Sequence, residues 1–172
     1  MEKNWFVLFV KTGDEVKAVR ALQKENLDAF VITMEVVHRK EGKSFLVNKN
    51  KFPGYLFVES ELSQVEFWEM VHSLSSKVSY FMKLLKYDNE GTSALYPDEK
   101  EYLEKLLNDK RVMEHSIGFI EGNQVIITEG PLMGYESKII KIDRHKRRAT
   151  LEVDFIGEIR HVNVSLEIIS KK

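Results

Sequence analysis

A chain of 172 residues with 43% apolar and 31% charged content fits one modest globular domain or two small ones. It has no cysteine, which excludes disulfides and thiolate zinc sites, and no apolar run near the ~20 residues of a membrane span. The net charge is −1, so any nucleic-acid binding has to come from a local patch rather than from overall charge. The N-terminus lacks a basic segment followed by an apolar core and a small-residue cleavage site, so no secretory signal is expected. A cytoplasmic monomer without membrane contact is the expectation.

The first element is the run Trp5-Phe6-Val7-Leu8-Phe9-Val10. Six apolar residues without alternation read as a strand covered on both faces, Trp5, Val7 and Phe9 on one and Phe6, Leu8 and Val10 on the other. Thr12-Gly13-Asp14 supplies a turn and helix-cap candidates, and Val16, Val19 and Leu22 predict an amphipathic helix over about 14–25. Ala29 to Lys40 reads as one strand running into a polar hairpin tip, with Phe45-Leu46-Val47 returning. The tip is basic, with Arg39, Lys40, Lys43, Lys49 and Lys51 against Glu41. It is either a solvated loop or a phosphate-facing tip near a nucleic acid.

The stretch Lys51-Phe52-Pro53-Gly54-Tyr55-Leu56-Phe57-Val58-Glu59 organises this half of the chain. Pro53-Gly54 is a turn signal, and the following strand is again apolar on both faces, Tyr55 and Phe57 opposite Leu56 and Val58. A strand half-exposed to water alternates apolar and polar, so either both faces are covered or one awaits a partner. Leu62, Val65, Phe67, Trp68, Val71 and Leu74 predict a helix over about 62–74. Lys77 to Leu85 reads as a strand and Asp88-Asn89-Glu90-Gly91 as a turn. Pro97 followed by Asp98, Glu99 and Glu101 starts a further helix, because proline suits the first turn and acids favour its positive end. Asn108 to Ser116 is polar and aperiodic, and a linker is placed there.

From Phe119 onward the chain is a series of short β-type runs separated by turn signals, which predicts a small β-barrel. The expected architecture is therefore α+β, with a mixed domain over 1–108, a flexible linker over 109–117 and a small β-barrel over 118–172. Within the barrel, Asp143-Arg144-His145-Lys146-Arg147-Arg148 is a dense basic turn. Residues 118–172 nonetheless carry nine Lys/Arg against eight Asp/Glu, so the charge is a focused patch. Clustered guanidinium groups pair bidentately with phosphate or a guanine edge; the competing reading is a solvated hairpin tip.

An enzyme needs converging polar groups. His38, His72, His115, His145 and His161 form no recognised metal-ligand spacing, and neither a phosphate-binding Gly-x-x-x-x-Gly-Lys loop nor a Gly-x-Ser-x-Gly elbow occurs. A binding protein without catalytic residues, cofactor or metal is expected.

Trp5-Phe6-Val7, Val36-Val37-His38-Arg39-Lys40, Phe52-Pro53-Gly54-Tyr55-Leu56-Phe57-Val58 and Val78-Ser79-Tyr80-Phe81 together resemble the N-terminal (NGN) domain of NusG-type transcription elongation factors. Gly122 to Tyr135 resembles a KOW motif. The resemblance spans essentially the whole chain. It implies an NGN α/β sandwich, an antiparallel sheet with helices, followed by an SH3-like barrel. It also implies an aromatic depression for the clamp helices in the largest subunit of RNA polymerase. By match to that pattern the polymerase-binding residues are Phe9, Tyr55 and Phe57, with Glu66 and Trp68 on a helix facing the opposing jaw. The barrel of general NusG proteins docks a small-subunit ribosomal protein, and Phe155 stands in the matching segment.

Two departures point within the family. The basic turn is denser than in general factors, and Ser137 stands where the family pattern has glycine. The run Val125 to Gly130 is similar to specialised antitermination paralogs of the RfaH and LoaP types, LoaP first. Such a paralog would bind a structured nascent RNA hairpin, here through Lys138, Lys141, Arg144, His145, Lys146, Arg147 and Arg148. The alternatives are a general elongation factor that couples polymerase to the ribosome and a ribosome-associated KOW protein.

Overall fold

The computed structural model describes residues 2–76, 82–84, 93–155 and 157–172. They divide into two units that interleave along the chain: 1–32 with 50–100, and 33–49 with 101–172. The architecture is α+β.

In the first unit the central strand β1 (Asn4–Val10) pairs antiparallel with β5 (Tyr55–Ser60), placing Val7 opposite Phe57 and Phe9 opposite Tyr55. Its other edge pairs with β6 (Met82–Leu84), and β2 (Asp28–Phe30) pairs with β5, giving the order β2-β5-β1-β6. Phe6, Leu8, Val10, Leu56 and Val58 face two helices, α1 (Glu15–Lys24) and α2 (Gln64–Ser75). Ala18 and Leu22 come from α1; Phe67, Val71 and Leu74 come from α2. The Phe6 and Phe67 rings stack 3.8 Å apart. On the opposite face Trp5, Phe30, Phe52 and Phe57 form an aromatic cluster of edge-to-face and stacked pairs. Both faces are thus covered along most of β1 and β5, which is why neither strand alternates.

The run Ala29–Lys40 is not one strand. It is divided between β2 and β3 (Thr33–Lys40), which belong to different sheets. The Ile32 carbonyl, between them, accepts from the Lys51 amide at 2.8 Å. Tertiary pairing overrides a uniformly high β-propensity here. The strand expected over 77–85 and the turn at 88–91 lie mostly outside the described residues, with only 82–84 seen as strand.

In the second unit β3 and β4 (Lys43–Asn50) form a hairpin whose tip, Glu41-Gly42, has both φ angles positive. That backbone suits a two-residue hairpin because it follows the twist of the strands. Strand β7 (Val112–Met113) runs parallel to β3, so the stretch 109–117 carries a buried strand within its polar surroundings. Helix α3 (Pro97–Leu106) begins with the Tyr96 amide donating to the Glu99 carboxylate at 2.9 Å, an acid closing the first turn.

The remaining strands are β8 (Ser116–Glu121), β9 (Gln124–Glu129), β10 (Ile139–Asp143), β11 (Arg148–Phe155) and β12 (Glu158–Lys171). They form one sheet in the order β10-β11-β12-β8-β9. Strand β12 serves two neighbours: residues 158–165 pair antiparallel with β11, and 166–171 pair parallel with β8. Alternate residues of β11, Ala149, Leu151, Val153 and Phe155, are buried with Val164 and Leu166. A 3-10 turn at 136–138 leads into β10. Ser137 lies within it and has no left-handed backbone, so a glycine is not required there.

Candidate functional site

Two surfaces gather the residues singled out in the sequence. The first is the end of the β1–β5 pair. Phe9 is 42% exposed and meets Tyr55 edge-to-face at 5.4 Å. The turn preceding Tyr55 is fixed from beneath. Gly54 has φ +85, and a Cβ there would press on the Phe9 ring, Thr12 Oγ1 and the Val10 carbonyl at 3.3–3.4 Å. Its amide donates to Glu15 Oε1 at 2.7 Å, while its carbonyl accepts from Val10 at 2.8 Å. The Gly13 amide donates to the other Glu15 oxygen at 2.8 Å. Burial by itself would raise the Glu15 carboxyl, but the amides of Gly54, Glu15 and Gly13 outweigh it and hold the carboxyl below its ordinary value.

Phe57 shares the face of Tyr55 yet is fully buried in the cluster with Trp5, Phe30 and Phe52. It supports this surface from behind and has no accessible area of its own. On α2, Trp68 is 46% exposed and stacks on His72 with the ring planes 6° apart. Glu66 serves its own helix. Its Oε2 accepts from the Ser63 amide and hydroxyl at 2.8 and 2.7 Å, while the Glu66 amide donates to Ser63 Oγ. This capping box starts α2, and the Ser63 hydroxyl and amide lower the Glu66 carboxyl. The Ser-x-x-Glu spacing is the sequence signal for that role.

The second surface is the turn between β10 and β11. Asp143 and Arg148 pair across the strands, leaving four residues in the loop. The Lys146 amide donates to Asp143 Oδ1 at 2.9 Å, and this bond, aided by the Lys146 and His145 charges, lowers the Asp143 carboxyl. Arg147 takes φ +50, a left-handed conformation that costs a non-glycine residue free energy. Arg144, His145, Lys146 and Arg148 are exposed. Arg147 is held back: its side chain is 20% exposed, its Nε lies 3.5 Å from Glu167 Oε1, and its carbonyl accepts from the Leu166 amide.

Glu167 faces His115 with its other oxygen, 3.5 Å from Nε2. His115 Nδ1 lies 2.5 Å from Ser165 Oγ, and the His115 amide donates to Glu35 on β3 at 2.8 Å. A cleft of about 690 Å³ opens beside this network. Its basic side chains are Lys141, Arg144, His145, Arg147 and, from β3, Arg39. Lys138, Lys146 and Arg148 are exposed but do not line it; Arg148 lies on the outer face of β11, where Glu152 and Asp154 also point away from the core. The sequence placed Arg39 in a basic hairpin tip without connecting it to the turn, and no local pattern joins segments a hundred residues apart.

Phe155 is 3% exposed and belongs to the barrel core. Among the described residues no group of three or more His, Asp or Glu side chains could hold a metal ion, and no helix is long and apolar enough to cross a membrane.

Residues 3–106 match the family model described as "Transcription termination factor nusG". The chain is 26% identical to the transcription termination/antitermination protein NusG of Thermus thermophilus, covering 99% of this chain and 100% of that protein. It is 27% identical to the NusG protein of Halalkalibacterium halodurans over 99% of both chains. A solved structure, "Domain interaction in Thermotoga maritima NusG", is similar at 20% identity and a TM-score of 0.47, covering 98% of this chain and 95% of that one.

Proposed function

This chain belongs to the NusG family, and we propose that it is a specialised antitermination member of the LoaP or RfaH type. Action on transcription termination and antitermination is what its NusG relatives are named for. The finer reading assigns polymerase binding to the pair of exposed Phe9 and half-buried Tyr55, backed by Phe57, with the Trp68 face of α2 toward the opposing jaw. The Arg144–Arg148 turn then holds a structured nascent RNA. Such work on a transcribing polymerase belongs in the cytoplasm.

The observation that carries the RNA assignment is the turn itself. Arg144, His145 and Lys146 are exposed on a four-residue loop, and Arg147 keeps a left-handed backbone that glycine or asparagine would adopt at lower cost. Retained strain of this kind clusters at functional sites. The surrounding sequence is nearly neutral, so the turn is a focus of charge. A polymerase bridged at two points resists opening of its clamp only as far as the factor prefers the closed state. Two linked weak contacts reinforce each other through effective concentration, so neither needs high affinity alone.

The test is binding of the full chain to structured leader RNA hairpins and to scrambled controls at two salt concentrations, with and without Arg144→Ala. Selective binding that the substitution weakens supports the reading. Weak binding, equal for all RNAs and indifferent to the substitution, leaves a general elongation factor instead.

A further inference from the structure

The cleft beside the turn has a second wall. We propose that Arg39, on β3, is part of the RNA site, so that a single-stranded stretch of RNA backbone is gripped between the β3–β4 hairpin and the β10–β11 turn. This rests on the reading that the turn binds RNA, and it adds a contact from a separate segment of the chain.

The β3 wall is held in place by several bonds. The Thr33 amide donates to the Arg111 carbonyl at 3.2 Å, Thr33 and Met34 pair with Val112 and Met113, and Glu35 accepts from the His115 amide. His115 in turn touches Ser165 and Glu167 on β12, so the hairpin base is tied to the strand that lines the cleft.

The charge balance of the cleft favours an anion. It has two acids, and both are occupied: Asp143 by the Lys146 amide, Glu167 by Arg147. Arg39, Lys141 and Arg144 form no ion pair among the described residues and are exposed. Three open cations, on β3, on β10 and in the turn that follows it, with Arg147 held by Glu167 in the same lining, suit successive phosphates better than one compact anion. Ile142 and Ile168 give the lining an apolar portion against which a ribose or base can rest. The volume, about 690 Å³, lies in the range of small-molecule clefts, which suits one strand and not a duplex. Unpaired loops and bulges are also where proteins read RNA sequence, since the A-form major groove is closed to side chains.

The test uses the full chain and a fluorescently labelled RNA hairpin with an unpaired loop, titrated at two salt concentrations. The variants are Arg39→Ala, Arg39→Glu, Arg144→Ala and, as a matched charge loss in the same unit outside the cleft, Lys172→Ala. Thermal unfolding of each variant checks that it is folded. The expected result is that Arg39→Ala and Arg144→Ala each weaken binding by about five- to tenfold and each lower the salt slope by about one. Arg39→Glu should weaken it further, and Lys172→Ala should stay near the parent. If both Arg39 variants behave like Lys172→Ala while Arg144→Ala loses affinity, the hairpin has no part and the turn alone binds. If Arg144→Ala is also without effect, the RNA reading of the turn fails and the composite site fails with it.

Discussion

The aromatic end of the β1–β5 pair and the basic β10–β11 turn solve one problem by opposite means. Each has to leave reactive side chains in water without the local backbone collapsing onto them. At the aromatic end, a buried carboxylate, Glu15, accepts from two separate loops, at Gly13 and Gly54, and the rings of Phe9 and Tyr55 stand on that fixed turn. At the basic turn, Asp143 accepts from the backbone and Glu167 restrains Arg147, so the acids are spent internally and the outer cations remain open. In both places an acid holds the structure and a different chemical class is left for the proposed partner. On that reading, apolar contact at the first site would be largely indifferent to salt, whereas phosphate contact at the second would be governed by it.

The comparison is broken most severely at Phe57. Phe57→Ala removes a fully buried ring from the aromatic cluster and is expected to cost about 3–5 kcal/mol of folding stability, read from urea denaturation. Equal stability of this variant and the parent would mean that the cluster is not a core.

Glu15→Gln tests the latch. A hydrogen bond to a charged group is worth about 1.5–3 kcal/mol, so a loss in that range is expected at neutral pH. The Glu15 carboxyl is lower in the folded protein than in the unfolded chain, whose value is near 4.5. Its contribution is therefore complete above that value and is lost as pH falls through the lower folded value. Denaturation of parent and variant across pH 3–7 should show the gap closing on the acid side; a gap independent of pH would remove the charge from the explanation.

Ser63→Ala should cost about 1 kcal/mol by removing the α2 cap, with polymerase binding affected no more than that loss explains. Tyr55→Ala should unfold little yet weaken recruitment to polymerase in a pull-down, with RNA affinity intact. Arg144→Ala should do the reverse, leaving stability within about 0.5 kcal/mol, as expected for an exposed side chain without partners among the described residues. If both variants impaired both activities, the two surfaces would not be separate functions.

How far these features can be read from the chain depends on whether their cause is local. The absence of alternation in β1 and β5 announces coverage on both faces. It does not distinguish Phe9 from Phe57, because that depends on the Trp5 and Phe30 rings, which arrive from elsewhere in the chain. The Ser63-to-Glu66 spacing carries a cap that can be read directly, whereas the family pattern by itself says nothing of it. The basic turn is legible as charge, but the pairing of Arg147 with Glu167 is not, since β12 supplies the carboxylate from twenty residues away. Arg39 is the extreme case: its place opposite the turn follows from the β3–β7 pairing, which joins segments about eighty residues apart. The break at 31–32 likewise reflects two sheets competing for one uniformly β-prone run.

Strand β12 is fourteen residues long and belongs to two ladders at once, so its alignment with β11 also sets its alignment with β8. Deleting one residue near Ser165 would displace Leu166 from Ser116 and turn the downstream side chains to the opposite face. The amides flanking this junction should exchange with deuterium last in the barrel, and a truncation just after Val164 should release β8 and β9 together. In molecular terms β12 is the barrel's clasp.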